Sequence, residues 1–365
     1  RIGVMCVNDN IYRLRSSVAL VYSDNELNIF KTNVRENIFL KINYKNIIQL
    51  LQLFDGHTKL TDIIKQCDDI DENTLISLVQ FLNNKYVLIY VDKEYPLELI
   101  ETKYRIINFL EDYCKSSGEV LHKISLLNNK RVLIFGLGAV GTWIVDMLAR
   151  DGIKEFILVD DDSVDISNLH RQDFYFEDDI NKKKLDVIEI KLKQLDSRIN
   201  IKKIFKKLDY DFFNDFNEKF DLAINCADYP NVDTTTKIIA SECMRRNIPH
   251  IVGGGYNLHL TLIGQSVIPY KSACFKCFDT KLNKINEPFT HNLKKLHREN
   301  RKIGSFSPLC TLSASLSSIE AFKILCELDE FLLNTSKRIE FGLRSMDFNI
   351  INIPKDDNCT ICAKD

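Results

Sequence analysis

Gly136-Leu137-Gly138-Ala139-Val140-Gly141 follows the apolar run Val132-Leu133-Ile134-Phe135 and precedes Ile144, Met147 and Leu148 at helical spacing. Glycines at a strand-to-helix turn permit a tight bend and let backbone N–H groups approach a phosphate, and the helix N-terminus adds partial positive charge. Asp160 stands 19 residues after Gly141, at the end of the next apolar run, Phe156-Ile157-Leu158-Val159. A carboxylate there accepts hydrogen bonds from ribose hydroxyls. On these residues alone, a nicotinamide-dependent dehydrogenase and an ATP enzyme both remain open. A second chemistry is carried by Cys274-Phe275-Lys276-Cys277 and Cys359-Thr360-Ile361-Cys362, two C-x-x-C pairs with 81 residues between them. Each pair sets two thiolates on one tight turn, and two pairs complete a tetrahedral Zn2+ site. A site with four protein ligands has no open position, so the expected role is structural, pinning the C-terminal segment to its domain.

The stretch after the second strand decides between the two nucleotide chemistries. Asp160-Asp161-Asp162-Ser163-Val164-Asp165-Ile166-Ser167-Asn168-Leu169-His170-Arg171-Gln172 resembles the D-x-D-x-V-x-x-S-N-L-x-R-Q segment of the thiamin- and molybdopterin-pathway adenylyltransferases, within the ubiquitin-activating-enzyme-like superfamily. The resemblance implies that Asn168 and Arg171 contact the phosphates of ATP, with Gly136, Gly138, Gly141, Asp160, Asp162 and Gln172 forming the rest of the nucleotide site. That family places a Lys about a dozen residues later in a G-x-P-K context. Asn181-Lys182-Lys183-Lys184 fills the place without the Gly and Pro, and Lys184 matches the family's Lys. Asp228, in Asn225-Cys226-Ala227-Asp228 at another strand end, matches an Asp that contacts Mg2+ and phosphate. These residue types suit attack by a carboxylate on the α-phosphorus of ATP. Negative charge then spreads over the equatorial oxygens and the departing pyrophosphate, and positioned cations with Mg2+ carry the catalysis.

Composition narrows the classes further. A chain of 365 residues with 45% hydrophobic and 27% charged residues accommodates one large domain and a smaller one. A net charge of -2 provides no basic field for nucleic acid or an anionic membrane. No apolar run reaches the roughly 18 to 20 residues of a membrane-spanning helix. Arg1 to Asn10 show no charged start followed by an apolar stretch, so a secretory signal is not evident. Eleven Cys do not read as a disulfide framework, and a reducing, cytoplasmic setting is expected. Cys6, Cys67, Cys114, Cys226, Cys243, Cys310 and Cys326 are expected as buried small side chains.

The elements that must hold these residues fall into two styles. Over residues 1–98, two β-rich runs, Ser17 to Tyr22 and Glu26 to Lys31, flank the hairpin signal Ser23-Asp24-Asn25. Ile47, Leu50, Leu51 and Phe54 predict a helix stopping at Asp55-Gly56, Leu60, Ile63 and Ile64 a second, and Leu75, Leu78, Val79 and Leu82 a third, before a strand over Tyr86 to Val91. This is a winged-helix-like α+β module. Residues 99–129 form a linker and a helix from about Thr102 to Cys114. Residues 130–365 alternate strand and helix, predicting a doubly wound, mainly parallel α/β sheet of Rossmann-like type that carries the nucleotide and zinc sites. Leu282 to Ser305, polar and basic, is expected to be a mobile crossover loop.

Most of the chain also resembles the microcin C-type peptide-adenylating enzymes. The N-terminal extension, Ala227-Asp228-Tyr229-Pro230 and Gly253-Gly254-Gly255-Tyr256-Asn257 carry that likeness. It implies a precursor peptide as substrate, recognised by the first hundred residues, and a homodimer in which Arg105 reaches the partner's ATP. Two other readings stand beside it: activation of a ubiquitin-like sulfur carrier, and a peptide-binding scaffold without catalysis. The first is disfavoured by the N-terminal module and by the absence of Cys from Leu282 to Ser305. Intact Gly138, Arg171, Lys184 and Asp228 speak against the second.

Overall fold

The computed structural model describes residues 9–363, apart from 68, 253–254, 258 and 291–303. The chain divides into two compact units, Arg1–Ser125 and Leu126–Asp365.

In the first unit the elements run β1 (Ile11–Leu14), β2 (Val18–Ser23), β3 (Glu26–Lys31), β4 (Glu36–Lys41), α1 (Ile47–Gln52), β5 (Asp55–Lys59), α2 (Leu60–Gln66), α3 (Glu72–Asn84), β6 (Leu88–Tyr90), α4 (Leu97–Glu111) and α5 (Ser117–Asn129). Two three-stranded sheets form, in the orders β5-β1-β6 and β2-β3-β4. The expected hairpin is thus a three-stranded meander, and Asp55-Gly56 opens a strand rather than merely ending a helix. Asp71 caps α3 by accepting from the Thr74 N–H at 2.9 Å. The apolar faces of the three helices and of β3 meet in one core around Leu27, Ile29, Leu50, Leu51, Ile63, Leu75 and Leu82. Pro96 precedes α4, which starts five residues earlier than the apolar spacing suggests. Below the sheet, the buried Arg15 guanidinium donates to the carbonyl oxygens of Leu88, Glu111 and Cys114, while Arg13 pairs with the buried Glu111 at 2.5 Å.

In the second unit the elements are β7 (Arg131–Phe135), α6 (Gly141–Asp151), β8 (Glu155–Val159), α7 (Lys184–Leu195), β9 (Asn200–Ile204), β10 (Leu222–Asn225), α8 (Val232–Arg246), β11 (His250–Val252), β12 (Gly255–Asn257), β13 (Leu260–Leu262), β14 (Gln265–Val267), α9 (Phe275–Thr290), α10 (Ser307–Leu325), β15 (Lys337–Gly342) and β16 (Asp347–Asn352). The central sheet has the order β14-β11-β10-β7-β8-β9, parallel except for β14. Strand order therefore reverses between β7 and β10, and a crevice opens there at the carboxyl ends of the strands. One sheet face packs Leu133, Phe135, Ile157 and Val159 against Phe212, Phe216, Phe220 and Ile239. A second sheet, β12-β13-β15-β16, lies outside the Rossmann-like arrangement. The segment expected as a crossover loop from Leu282 is helical as far as Thr290, within α9. Only a sparse stripe of that helix is apolar, which is why its composition resembles a loop. Residues 291–303 of that segment lie outside the described residues. No helix among the described residues is long and apolar enough to cross a membrane.

Candidate active site

The turn after β7 is shaped by two glycines for different steric reasons. Gly136 has φ +82°, and a Cβ on it would lie 2.6 Å from the Cys226 carbonyl oxygen. A Cβ on Gly141 would lie 2.0 Å from the carbonyl oxygen of Gly136. Gly138 differs, because a Cβ there would meet only the Gln172 Nε2, at 4.0 Å. Its open side faces a cavity of about 1370 Å³ at the switch point of the sheet.

That cavity gathers Gly136, Gly138, Asp160, Asp162, Asn168, Arg171, Gln172, Lys184 and Asp228 from five separate places in the chain. Gly141 is buried behind the turn. Asp160 closes the turn by accepting from the N–H of Leu137 at 2.6 Å and of Asp162 at 2.8 Å. Burial pushes the Asp160 carboxyl up, against the pull of Lys184 and of those two N–H groups. Asp165 and Asn168 form a reciprocal capping box around residues 166–168. From there Arg171 donates to the Ser167 carbonyl oxygen at 2.6 Å, while its buried Nε has no partner. The buried Oε1 of Gln172 is likewise unpartnered. Orphaned buried polar atoms at a cavity wall fit a polar ligand that completes them.

The three consecutive lysines separate by position. Lys184 opens α7 with its side chain 5% exposed and its Nζ 2.9 Å from Asp162, whose side chain is 65% exposed. Lys183 donates to the Asp161 carbonyl oxygen, and Lys182 pairs with Asp179; both are exposed. Asp228 sits exposed at the cavity's edge on a turn fixed from below. Asn225 accepts from the Ala227 N–H at 3.0 Å and donates to Thr235, which in turn donates to the Ala227 carbonyl oxygen. Asp160, Asp161 and Asp162 present carboxylate oxygens within 4.8 Å of one another. Arg105 is exposed on α4 of the first unit. The cavity also takes residues no sequence motif marks: Lys206 and Lys207 after β9, Arg338 and Ile339 from β15, and Phe275, Phe278, Asp279, Leu282 and Asn283 from one face of α9. Only the i, i+3, i+4, i+7, i+8 spacing of that last group, 275, 278, 279, 282 and 283, is a signal readable from sequence. The thiol of Cys226, at the cavity wall, is pushed up to about 12 by burial, and that of Cys310 is also raised by burial.

The four paired cysteines meet in one buried cluster, with Sγ separations of 3.9 Å for Cys274–Cys277, 3.6 Å for Cys274–Cys359 and 3.5 Å for Cys277–Cys362. Disulfide sulfurs lie about 2.05 Å apart, whereas sulfurs about 2.3 Å from a tetrahedral metal lie about 3.8 Å from one another. The spacing fits a metal and excludes bonded pairs. Burial opposes ionisation of Cys359, but the N–H groups of Cys362 and Ile361 together with the neighbouring Cys274 and Cys362 thiols outweigh it and hold the thiol at about 7. A set of four soft ligands of this kind fits zinc.

Residues 119–361 match the ThiF family. The sulfur carrier protein ThiS adenylyltransferase of Escherichia coli is 27% identical over 241 residues, 65% of this chain and 87% of that protein. Crystal structures of Escherichia coli MccB, one with succinimide and one with AMPCPP and MccA, superpose with TM-scores of 0.77 and 0.76 at 22% identity. Each likeness covers 97% of this chain and 99% of MccB, a microcin C7 biosynthetic enzyme. A Gly-rich turn at the switch point, a ring of cations and carboxylates around one cavity and a family match across two thirds of the sequence converge: the chain belongs to the ThiF family and is an adenylyltransferase.

Proposed function

We propose that this protein uses ATP to adenylate a carboxylate on a ribosomally made peptide, releasing pyrophosphate, in the biosynthesis of a peptide natural product. The supporting observation is the extent of the MccB likeness. It spans 97% of the chain, first unit included, whereas the ThiS adenylyltransferase matches 65%. MccB has been solved with MccA and with AMPCPP. In this reading residues 1–98 recognise the precursor peptide and residues 130–365 carry out the chemistry.

Gly138 leaves room for a phosphate to approach the backbone N–H groups of the turn, and Asp160 accepts from the ribose. Arg171 and Asn168 bind phosphate oxygens, Arg171 bringing the Nε that lacks a partner. Lys184 exchanges its contact with the exposed Asp162 for one with the phosphates. Gln172 completes the wall. A carboxylate oxygen of the peptide attacks the α-phosphorus, the bond to the β-phosphate oxygen breaks, and pyrophosphate leaves with the charge that Arg171 and Lys184 have matched. Arg supplies a planar fork and Lys a compact point charge, so the two are not interchangeable. Mg2+ belongs beside Asp228, where it would neutralise phosphate charge. Zn2+ belongs in the Cys274, Cys277, Cys359 and Cys362 cluster, where it would fix the fold. A homodimer with Arg105 near the partner's nucleotide, and a cytoplasmic setting, complete the proposal.

A second reading, activation of a sulfur carrier, is favoured by the ThiS adenylyltransferase relative. ATP–pyrophosphate exchange separates the two. The purified protein is offered, in parallel, synthetic peptides encoded by short reading frames beside its gene and a sulfur-carrier protein ending in Gly-Gly. Exchange with a peptide alone is the expected result. Exchange with the carrier alone would replace the peptide proposal with the second reading.

A further inference from the structure

We infer that Trp143 is a positioning residue for Arg171. The inference rests on the assignment of Arg171 to phosphate binding made above. Trp143 is the only tryptophan in the sequence. It occupies the first turn of α6, two residues beyond Gly141, and its indole Nε1 donates to the Arg171 carbonyl oxygen at 3.2 Å. Three further bonds tie the turn and the Arg171 segment together at neighbouring points. The Asp173 N–H donates to the Thr142 Oγ1 at 3.1 Å, and that hydroxyl donates to the Gly138 carbonyl oxygen at 2.8 Å. The Tyr175 hydroxyl donates to the Leu137 carbonyl oxygen at 3.0 Å.

Helix α6 therefore acts as a brace. Its first turn holds the Gly-rich loop from one side and the segment 171–175 from the other. The brace ends at Arg171 itself, the residue whose Nε is buried without a partner. An arginine side chain has several rotatable bonds, so fixing its backbone carbonyl limits where the guanidinium can be delivered. The Arg171 side chain itself donates to the Ser167 carbonyl oxygen at 2.6 Å and lies 3.3 Å from the His170 ring. Phosphate binding uses the same guanidinium, so the backbone anchor at Trp143 must hold while the side chain changes partner. Thr142 and Tyr175 serve the loop in general, whereas Trp143 serves Arg171 in particular.

A double-mutant cycle tests this, with MgATP binding to the full-length protein measured by calorimetry. Trp143→Phe keeps an aromatic ring and removes the N–H. It is expected to weaken MgATP binding about 3- to 10-fold, the range of one lost hydrogen bond, and to change it less than about 2-fold when Arg171→Ala is already present. Equal weakening in both backgrounds would mean that Trp143 acts on general packing, and would overturn the inference while leaving the Arg171 assignment intact. If Arg171→Ala alone bound MgATP like the native protein, the assignment and the inference would both fall. Should Trp143→Phe fold poorly, growth with 5-fluorotryptophan labels this one position without truncating it. MgATP is then expected to shift the single 19F resonance in the native background and to leave it in place in Arg171→Ala. A resonance that ignores MgATP in the native background would also overturn the inference.

Discussion

Gly138→Ala should separate folding from nucleotide binding, because the space its Cβ would fill belongs to the cavity and not to the protein. Among the described residues, the nearest atom beyond its chain neighbours is the Gln172 Nε2 at 4.0 Å, an ordinary contact distance, and Gly138 is not in the left-handed region. Replacing such a glycine by alanine stabilises a fold by about 0.4 to 1 kcal/mol through the unfolded chain, or about 1 to 4 °C in Tm for a domain of this size. A phosphate drawn to the backbone N–H groups at the same place would meet the new methyl group directly. MgATP binding should therefore fall at least about 10-fold, a cost of about 1.4 kcal/mol or more. Gly136→Ala and Gly141→Ala supply the contrast. Their Cβ atoms would lie 2.6 Å and 2.0 Å from backbone oxygen atoms, and Gly136 has φ +82°, so both should lower Tm before any effect on ligand can be read. Thermal melts without ligand and calorimetric titrations with MgATP measure the two quantities on the same samples. A Gly138→Ala protein that melts like the native one and binds MgATP equally well would refute the placement of phosphate at this turn.

Lys184→Ala should reduce ATP–pyrophosphate exchange about 100- to 1000-fold, the loss of about 2.7 to 4 kcal/mol seen when one transition-state contact is removed, while Lys182→Ala and Lys183→Ala stay within about 3-fold. Near-native exchange in Lys184→Ala would move the role to another cation of the cavity, with Lys206 and Lys207 tested next. His250 is buried in β11 and its pKa is lowered to about 4 by burial, against a hydrogen bond to the Ile248 carbonyl oxygen. The unfolded chain binds a proton at about 6.5 that the folded chain refuses until about 4, so this stabilising contribution is complete above 6.5 and drains away as pH falls towards 4. At pH of about 5.5 the loss should be about 1 kcal/mol, visible as a denaturation midpoint that falls with pH in the native protein and less steeply in His250→Asn; parallel slopes would refute it. Elemental analysis should find one zinc per chain, and Cys359→Ser should release it and lower the midpoint; metal-free protein prepared under reducing conditions with a native midpoint would contradict the zinc assignment.

What the sequence could say about this molecule depended on whether a residue's neighbours are set locally or by distant pairing. The strands β7, β8, β10 and β11 are short apolar runs buried on both faces, so their existence and order are visible in the residues alone. The Gly-rich turn and Asp160 follow from that pattern, whereas Arg171 and Asp228 are placed beside them by the resemblance to the adenylyltransferases. The first unit was legible where side chains are wholly inside, as at Leu50, Leu75 and Leu82, and not at β4, where Ile38 and Leu40 are half-buried while Phe39 is 59% exposed. Helix α5 went unread although Val120, Ile124 and Leu127 repeat at helical spacing and are buried.

The remaining wall of the cavity was illegible for a different reason. Leu262, Ile263, Arg338 and Ile339 reach it only because β13 pairs with β15 across about eighty residues of chain, including Leu262 opposite Glu340 and the Ile263 N–H bonded to the Ile339 carbonyl oxygen at 3.1 Å. No local pattern encodes that pairing. Helix α9 links the two kinds of information. Its beginning is stated by the first C-x-x-C pair, but the face it turns to the cavity, from Phe275 to Asn283, follows from how that pair is held. Cys277 packs beside Phe278 in the same core as Cys359 and Cys362. Four cysteines that look remote from the chemistry thus share a core with the helix that forms one wall of the cavity. In this fold the four-cysteine cluster and the cavity wall lined by Phe275, Phe278 and Leu282 are parts of one arrangement, joined by a single helix.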